Sequence, residues 1–427
     1  MQWPTCLRFV LSTLCLFAMA AIPAQSVHAQ TYKVLYNFTG GQDGGIPQAG
    51  LTIDRGGNLY GTTSGGYVNG GSQAGAVFKL THTEADWILT PLYNFQGGSD
   101  GAGPEARVIF GPDGSLYGTV VYGGVTNGNC IAGCGTVFNL RPSATSCKTA
   151  LCGWNETVLY QFMGGTDGSG PGYGDLVFDQ AGDIYGTTQQ GGSTSQCLFL
   201  PGTIGCGVVY ELRPLHGSWA ESVLYAFSGG SDGAEPFGGV IFDTAGNLLG
   251  STFFGGTDLY GTAFQLTPSG GRWTETSLYE FAGASGDSPR GGVILDGSGN
   301  LYGTTSADGP NGGGTVFELT AGSRIFSLLY GFTGLGTWGP TGSLAFDHAG
   351  NLYGTTLISG LDSAGSVFKL TPAGNGSWSH TSLHDFTGGS DGGRPYGNVS
   401  FDANGNLYGT ASQGGASGYG VVWEITP

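Results

Sequence analysis

A chain of 427 residues with 39% apolar and 12% aromatic residues is too rich in core formers to be a disordered tract, and its 86 glycines follow no every-third-residue period, which excludes a collagen-like rod. The formal net charge of −17 repels other polyanions, which disfavours nucleic acid and anionic membrane surfaces as partners.

Residues 1–29 carry Arg8, an apolar run over 9–22 and then Val27, His28 and Ala29, which is the small-x-small pattern of a secretory cleavage site. They are expected to be a signal peptide cut before Gln30. Losing one Arg and no acid would take the formal charge from −17 to −18. No later stretch approaches the roughly eighteen apolar residues of a membrane helix. Residues 30–427 are therefore expected to be one exported domain, secreted, periplasmic or held at the cell surface, with no membrane span and acting as a monomer.

The next segment, TYKVLYNF, begins a series of "LY.F" copies at Leu35, Leu92, Leu159, Leu224, Leu278, Leu329 and Leu383, spaced 51 to 67 residues apart. Between them stand seven glycine-punctuated centres, among them NLYGTT at 58–63, 300–305 and 351–356. Short alternating runs precede six of these centres and end at Asp54, Asp179, Asp243, Asp296, Asp347 and Asp402, whereas the second unit ends its run at Gly111. Asp and Asn shape turns and Gly takes positive φ, so each run and its centre form a hairpin. In that hairpin Asn58, Asn300 and Asn351 shape the turn. Leu59 and Tyr60 point to opposite faces, and Gly61, Gly303 and Gly354 stand where strands or blades come close.

A third run follows in each unit (GAVFKL, GTVFNL, GVVYEL and their relatives), and then a fourth, often opened by Trp as at Trp87, Trp154, Trp219, Trp273 and Trp378. All alternate with period two, the pattern of strands. Four short antiparallel strands per unit make a blade, and seven units make an all-β, seven-bladed β-propeller. The chain starts on a fourth-strand sequence and stops on a third-strand one, GVVWEI. An open array would leave both as unpaired edges, so residues 32–38 are expected to complete the last blade and close the ring.

Of eight cysteines, Cys6 and Cys15 fall in the signal, leaving six. In an exported chain these read as disulfides. The blade layout allows Cys147 with Cys152, Cys197 with Cys206 and Cys130 with Cys134. The C-x3-C spacing without a nearby histidine is a poor zinc site.

The unit F-x-G-G-x-D-G-x-x-P … GNLYGTT … GG … GTVF-x-L resembles the GloVer tandem repeat of exported bacterial proteins, also called choice-of-anchor repeat proteins, over nearly all of residues 30–427. The resemblance implies a repeat scaffold with varied surface anchors and no known activity. No sorting segment is recognised before Pro427, so an anchor is not expected within these residues.

Candidate chemistry is sparse. His82, His216, His348, His380 and His384 share no spacing and are expected on the surface or in packing, and no G-x-S-x-G, H-E-x-x-H or phosphate loop occurs. The G-G-x-D-G loops place one acid each at Asp43, Asp100, Asp167, Asp232 and Asp391. Calcium would need six to eight oxygens there, and an Asx turn is the preferred reading. No other metal or cofactor is expected. Just after the repeated proline the residues drift: Gln48, Glu105, Gly172, Phe237, Arg290, Thr341 and Tyr396. That drift is expected to line the mouth of the central channel.

Tyr173, Phe237, Trp338 and Tyr396 would offer flat faces for sugar, and Glu105 and Arg290 hydrogen bonds; alternatively the aromatics plug the channel. The function expected is a non-enzymatic scaffold that presents loops to carbohydrate or a cell-surface protein. The alternatives are a polysaccharide hydrolase or lyase with two carboxyls about 5 to 9 Å apart on one face, and an envelope protein without ligand.

Overall fold

Each run of alternating residues becomes a strand. In the first unit these are Thr52–Ile53, Leu59–Thr63, Ala76–His82 and Trp87–Asn94, hydrogen-bonded in that order. Six more antiparallel four-stranded sheets repeat the pattern, and together they form the seven blades of a β-propeller. The computed structural model describes residues 30–427 apart from 66, 69, 70, 73, 85, 144–152, 193–196, 198–204, 335–337 and 375. No helix occurs among the described residues, and none is therefore long and apolar enough to cross a membrane. The expected signal peptide, 1–29, lies outside them.

The ring closes as the broken phase of the repeat requires. Thr31–Asn37 pairs antiparallel with Val421–Thr426, Thr31 opposite Thr426 and Asn37 opposite Val421, as the outer strand of the last blade. Both chain ends thereby lose their unpaired edges.

NLYGTT is built into this architecture by hydrogen bonds. Asp54 Oδ1 accepts from the Gly56 and Asn58 N–H groups at 2.8 and 2.9 Å, and Oδ2 accepts from Asn58 Nδ2 at 2.7 Å and the Tyr60 hydroxyl at 3.1 Å. The same set recurs around Asp296, Asp347 and Asp402. Burial alone would raise the Asp54, Asp296 and Asp347 carboxyls; the bonds from Asn58, Asn300 and Asn351 hold them below the usual range instead. The second unit, lacking an Asp at 111, uses Asp113, which accepts from Ser115, Tyr117 and Arg141. In the third unit Asp183 replaces the Asn. Burial and the charges of Asp179 and Glu211 push its carboxyl up, and Arg213 bridges Asp183 at 3.1 Å and Glu211 at 2.8 Å.

The central glycine of the motif leaves room for a ring on the third strand. A Cβ added at Gly61, Gly118, Gly250 or Gly303 would come within 2.6 Å of the ring of Phe78, Phe138, Phe264 or Phe317. Leu59 and Tyr60 are both buried, because each blade is covered on both faces: Leu59 packs with Phe78 and Tyr408, and Tyr60 with Val108 and Leu116 of the next blade. The core is thus a set of layers between blades.

Those layers also position the inner rim. The repeated proline of each D-G-x-x-P loop rests on the glycine that precedes a third strand of the neighbouring blade. A Cβ at Gly75 would lie 2.5 Å from Pro104 Cδ, at Gly207 2.7 Å from Pro236 Cδ and at Gly420 2.6 Å from Pro47 Cδ. The residue after the proline is held at the channel by this contact. Disulfides join Cys130 to Cys134 and Cys197 to Cys206, with Cα separations of 5.1 and 5.0 Å. The expected partners Cys147 and Cys152 lie outside the described residues.

Candidate functional site

Gln48, Glu105, Tyr173, Phe237, Arg290, Thr341 and Tyr396, one per blade, meet around the channel. Gly172 does not stand with them. The third unit has one more residue after its proline, and Tyr173 takes the place. Trp338 lies above the ring, with Arg290 beneath it: the guanidinium carbon sits 5.1 Å from the Trp338 ring, 5.4 Å from Phe237 and 4.9 Å from Phe253. Arg290 Nη1 donates to the Tyr396 hydroxyl. On the far side Tyr173 packs on Phe237 with centroids 5.2 Å apart and hydrogen-bonds Glu105. Burial pushes the Glu105 carboxyl up to about 7, partly offset by that Tyr173 bond.

Below the mouth the next residues are small: Ala49, Ala106, Gly174, Gly238, Gly291, Gly342 and Gly397. Backbones crowd there, and a Cβ at Gly238 or Gly291 would lie 2.5 Å from a neighbouring inner strand's carbonyl oxygen. One level deeper a polar bar crosses the lumen. Arg107 bridges Asp175 at 2.8 Å, and Asn398, three blades away from Asp175, donates to it at 3.2 Å and accepts from the Ser343 N–H at 2.6 Å. The free volume is about 50 Å³, room for a few waters at about 10–15 Å³ each. These deeper residues escaped the sequence reading, although period two places Arg107, Asp175, Ser343 and Asn398 on the same face as the mouth residues.

Room for a ligand lies on the face around the mouth. A groove of about 440 Å³ is lined by Trp338, Tyr396, Gln48, Arg394, Gln413 and the aliphatic side chains beside them. The 4→1 and 2→3 loops that form this face also carry Ile131, Leu361 and Trp338 in exposed positions. Arg394 and Gln413 were not singled out from sequence, since neither belongs to the repeated motif.

The loop acids act as staples. Asp43 accepts from the Thr39 N–H at 2.8 Å and the Tyr36 hydroxyl at 3.0 Å. Asp100, Asp167 and Asp232 accept the matching N–H at 2.7 Å each and the matching Tyr hydroxyl at 3.1 Å each. Asp391 takes the Thr387 N–H at 2.9 Å and His384 Nε2 at 3.1 Å. Such convergent donors suit an anion held in a turn. Asp287, one position displaced, accepts from Ser288 instead. Among the described residues no three of His, Cys, Asp and Glu gather as metal ligands. His380 stacks on Tyr330 at 4.4 Å and His384 on Tyr32 at 3.7 Å, both in blade packing.

The fold is shared with solved propellers. A "putative 6-phosphogluconolactonase" from Bacteroides uniformis ATCC 8492 aligns at 13% identity and TM-score 0.51, covering 85% of this chain and 90% of that one. A similarly described protein from Bacteroides fragilis NCTC 9343 aligns at 16% identity and TM-score 0.50, covering 85% and 88%. The extracellular domain of a "putative hybrid two component system" of B. thetaiotaomicron aligns at 12% identity and TM-score 0.55, over 93% of this chain and 42% of that one. At such identities the likeness concerns the fold alone. No curated protein matches the chain in sequence. Two successive stretches, 23–204 and 200–423, match the model of the Gloeobacter/Verrucomicrobia repeat, and with nearly the whole chain accounted for, the protein belongs to that repeat family.

Proposed function

We propose that the protein is an exported, non-enzymatic scaffold that binds carbohydrate on the face around its channel mouth. The observation that carries this is the 440 Å³ groove beside Trp338 and Tyr396, a volume within the usual range of small-ligand sites and lined by two aromatic faces with the amides of Gln48 and Gln413 beside them. A stopped channel with about 50 Å³ of free volume gives the ligand an outer surface to rest on. Of the two carboxylates lining the channel, Asp175 is tied to Arg107 and Asn398, so Glu105 has no free partner to serve as the second member of an acid and base pair. Export is supported by the signal-like residues 1–29 and by two disulfides.

A glycan array run beside an activity screen on the same polysaccharides tests the reading. Binding without cleavage is expected, and Trp338→Ala should weaken it about tenfold or more, about 1.4 kcal/mol, while the melting temperature stays near the parent's. Cleavage of any bound polysaccharide would overturn the non-enzymatic assignment; an array with no binding at all would overturn the carbohydrate assignment.

A further inference from the structure

Two cations flank the groove in a chain that has 30 acidic residues and 13 Lys and Arg. Arg107, Arg141 and Arg213 each bridge a carboxylate, but Arg290 has none within ion-pair distance among the described residues. Its Nε is buried without a hydrogen-bond partner, and its charge is held over Phe237, Phe253 and Trp338. The Tyr396 hydroxyl accepts from Arg290, which leaves the hydroxyl proton free to donate outward.

Arg394 is the second cation. It is exposed, stands two residues before Tyr396 and makes no side-chain hydrogen bond or ion pair among the described residues. Its backbone has φ +53°, the left-handed region that suits glycine. The same conformation recurs before the proline in five other blades, at Gly103 and Gly170 with φ +68° and +67° but also at Ile46, Glu235 and Ser288 with φ +59°, +55° and +59°, so it belongs to the loop and not to Arg394 alone. What sets Arg394 apart is its charge and its place: it lines a groove whose lining contains no acid among the described residues. An exposed guanidinium with no protein partner among those residues, beside two aromatic faces, is free to pair with a ligand.

Resting on the carbohydrate reading above, we infer that the groove takes an acidic glycan, one sugar stacked on Trp338 and Tyr396 with its carboxylate on the Arg394 guanidinium. Arg394 supplies a bidentate fork, and Arg290 is a positioning residue that fixes Tyr396 and adds positive potential below the ring. The surrounding acidity disfavours dense polyanions, so the carboxylates on the ligand are spaced apart along the chain rather than borne by every sugar.

The test is a panel of glucuronate-, galacturonate- and mannuronate-containing oligosaccharides, each with its carboxyl-reduced twin, measured against the parent and Arg394→Gly. At least one acidic member should bind, with a loss of tenfold or more both in its reduced twin and in Arg394→Gly. That variant should melt at or above the parent temperature, because glycine relieves the left-handed strain. Equal binding of acid and twin, or unchanged binding by Arg394→Gly, would overturn the inference and leave the carbohydrate reading in place. The same holds if only neutral glycans of the wider array bind, whereas no binding to any sugar would sink both.

Discussion

Two levels of the ring make opposite use of the repeat. In the second strand of the blade the same glycine lies under an aromatic ring, Gly61 under Phe78 and again through Gly303 under Phe317. At the channel mouth seven equivalent positions carry six residue types. The interior repeats because each inter-blade layer is a separate copy of one packing problem, solved independently. The mouth side chains instead share one axis. Seven identical large rings would overfill a lumen of about 50 Å³, and seven like charges would repel. Variation at the mouth is thus required by geometry before any ligand is considered. The sharper sign of use is Arg394, an exposed cation that lines the groove and makes no side-chain hydrogen bond or ion pair among the described residues.

Breaking the ring itself should have the largest effect. Deleting residues 30–38 removes the strand paired with Val421–Thr426 and exposes the last blade, and thermal melting should show a greater loss than any single substitution, with aggregation. Next comes Gly303→Ala, whose Cβ would meet Phe317 at 2.6 Å; urea unfolding should show a loss of about 1–3 kcal/mol. Asp347→Ala leaves Asn351 Nδ2 and the Tyr353 hydroxyl without their acceptor and should lower stability by a similar about 1–3 kcal/mol. If both variants unfolded like the parent, the repeated motif would not be the source of blade stability.

A smaller effect is expected from pH. Burial, reinforced by the nearby charges of Asp100, Asp167 and Asp232, pushes Glu156, Glu221 and Glu275 up to about 7, and burial does the same to Glu235. A carboxyl with a folded pKa above its ordinary 4.5 keeps its proton in the native state after the unfolded chain has lost it. That stability is fully present below about 4.5 and is lost as pH rises through about 7. Melting temperature should therefore fall between pH 5 and 8, and substituting Gln for Glu156, Glu221 and Glu275 should flatten the slope. The smallest effect belongs to the mouth. Gln48→Ala should change stability by less than about 0.5 kcal/mol, in contrast with Gly303→Ala; a large loss would make Gln48 part of the scaffold.

The blade count, the strand order, the closing segment and two of the three disulfide pairs were legible because each rests on local chemistry: period-two alternation, Asp-Asn turns, and a phase mismatch between the chain ends. The place of the post-proline residues was legible as well, except where the extra residue in the third unit moved Gly172 out and Tyr173 in. What the alternation could not supply was which side chains touch across the axis. Arg290 with Tyr396 and Asp175 with Asn398 are bonds between blades separated by 106 and 223 residues, and no local pattern records them.

The sequence by itself determined the propeller, since each blade's turns and alternation are decided within some fifty to seventy residues and repeated seven times. Only the tertiary structure decided that the channel is stopped and that the open groove lies beside it. Closure of the ring brings seven unrelated side chains to one axis, and their summed volume and charge, which belong to no single repeat, determine what space remains.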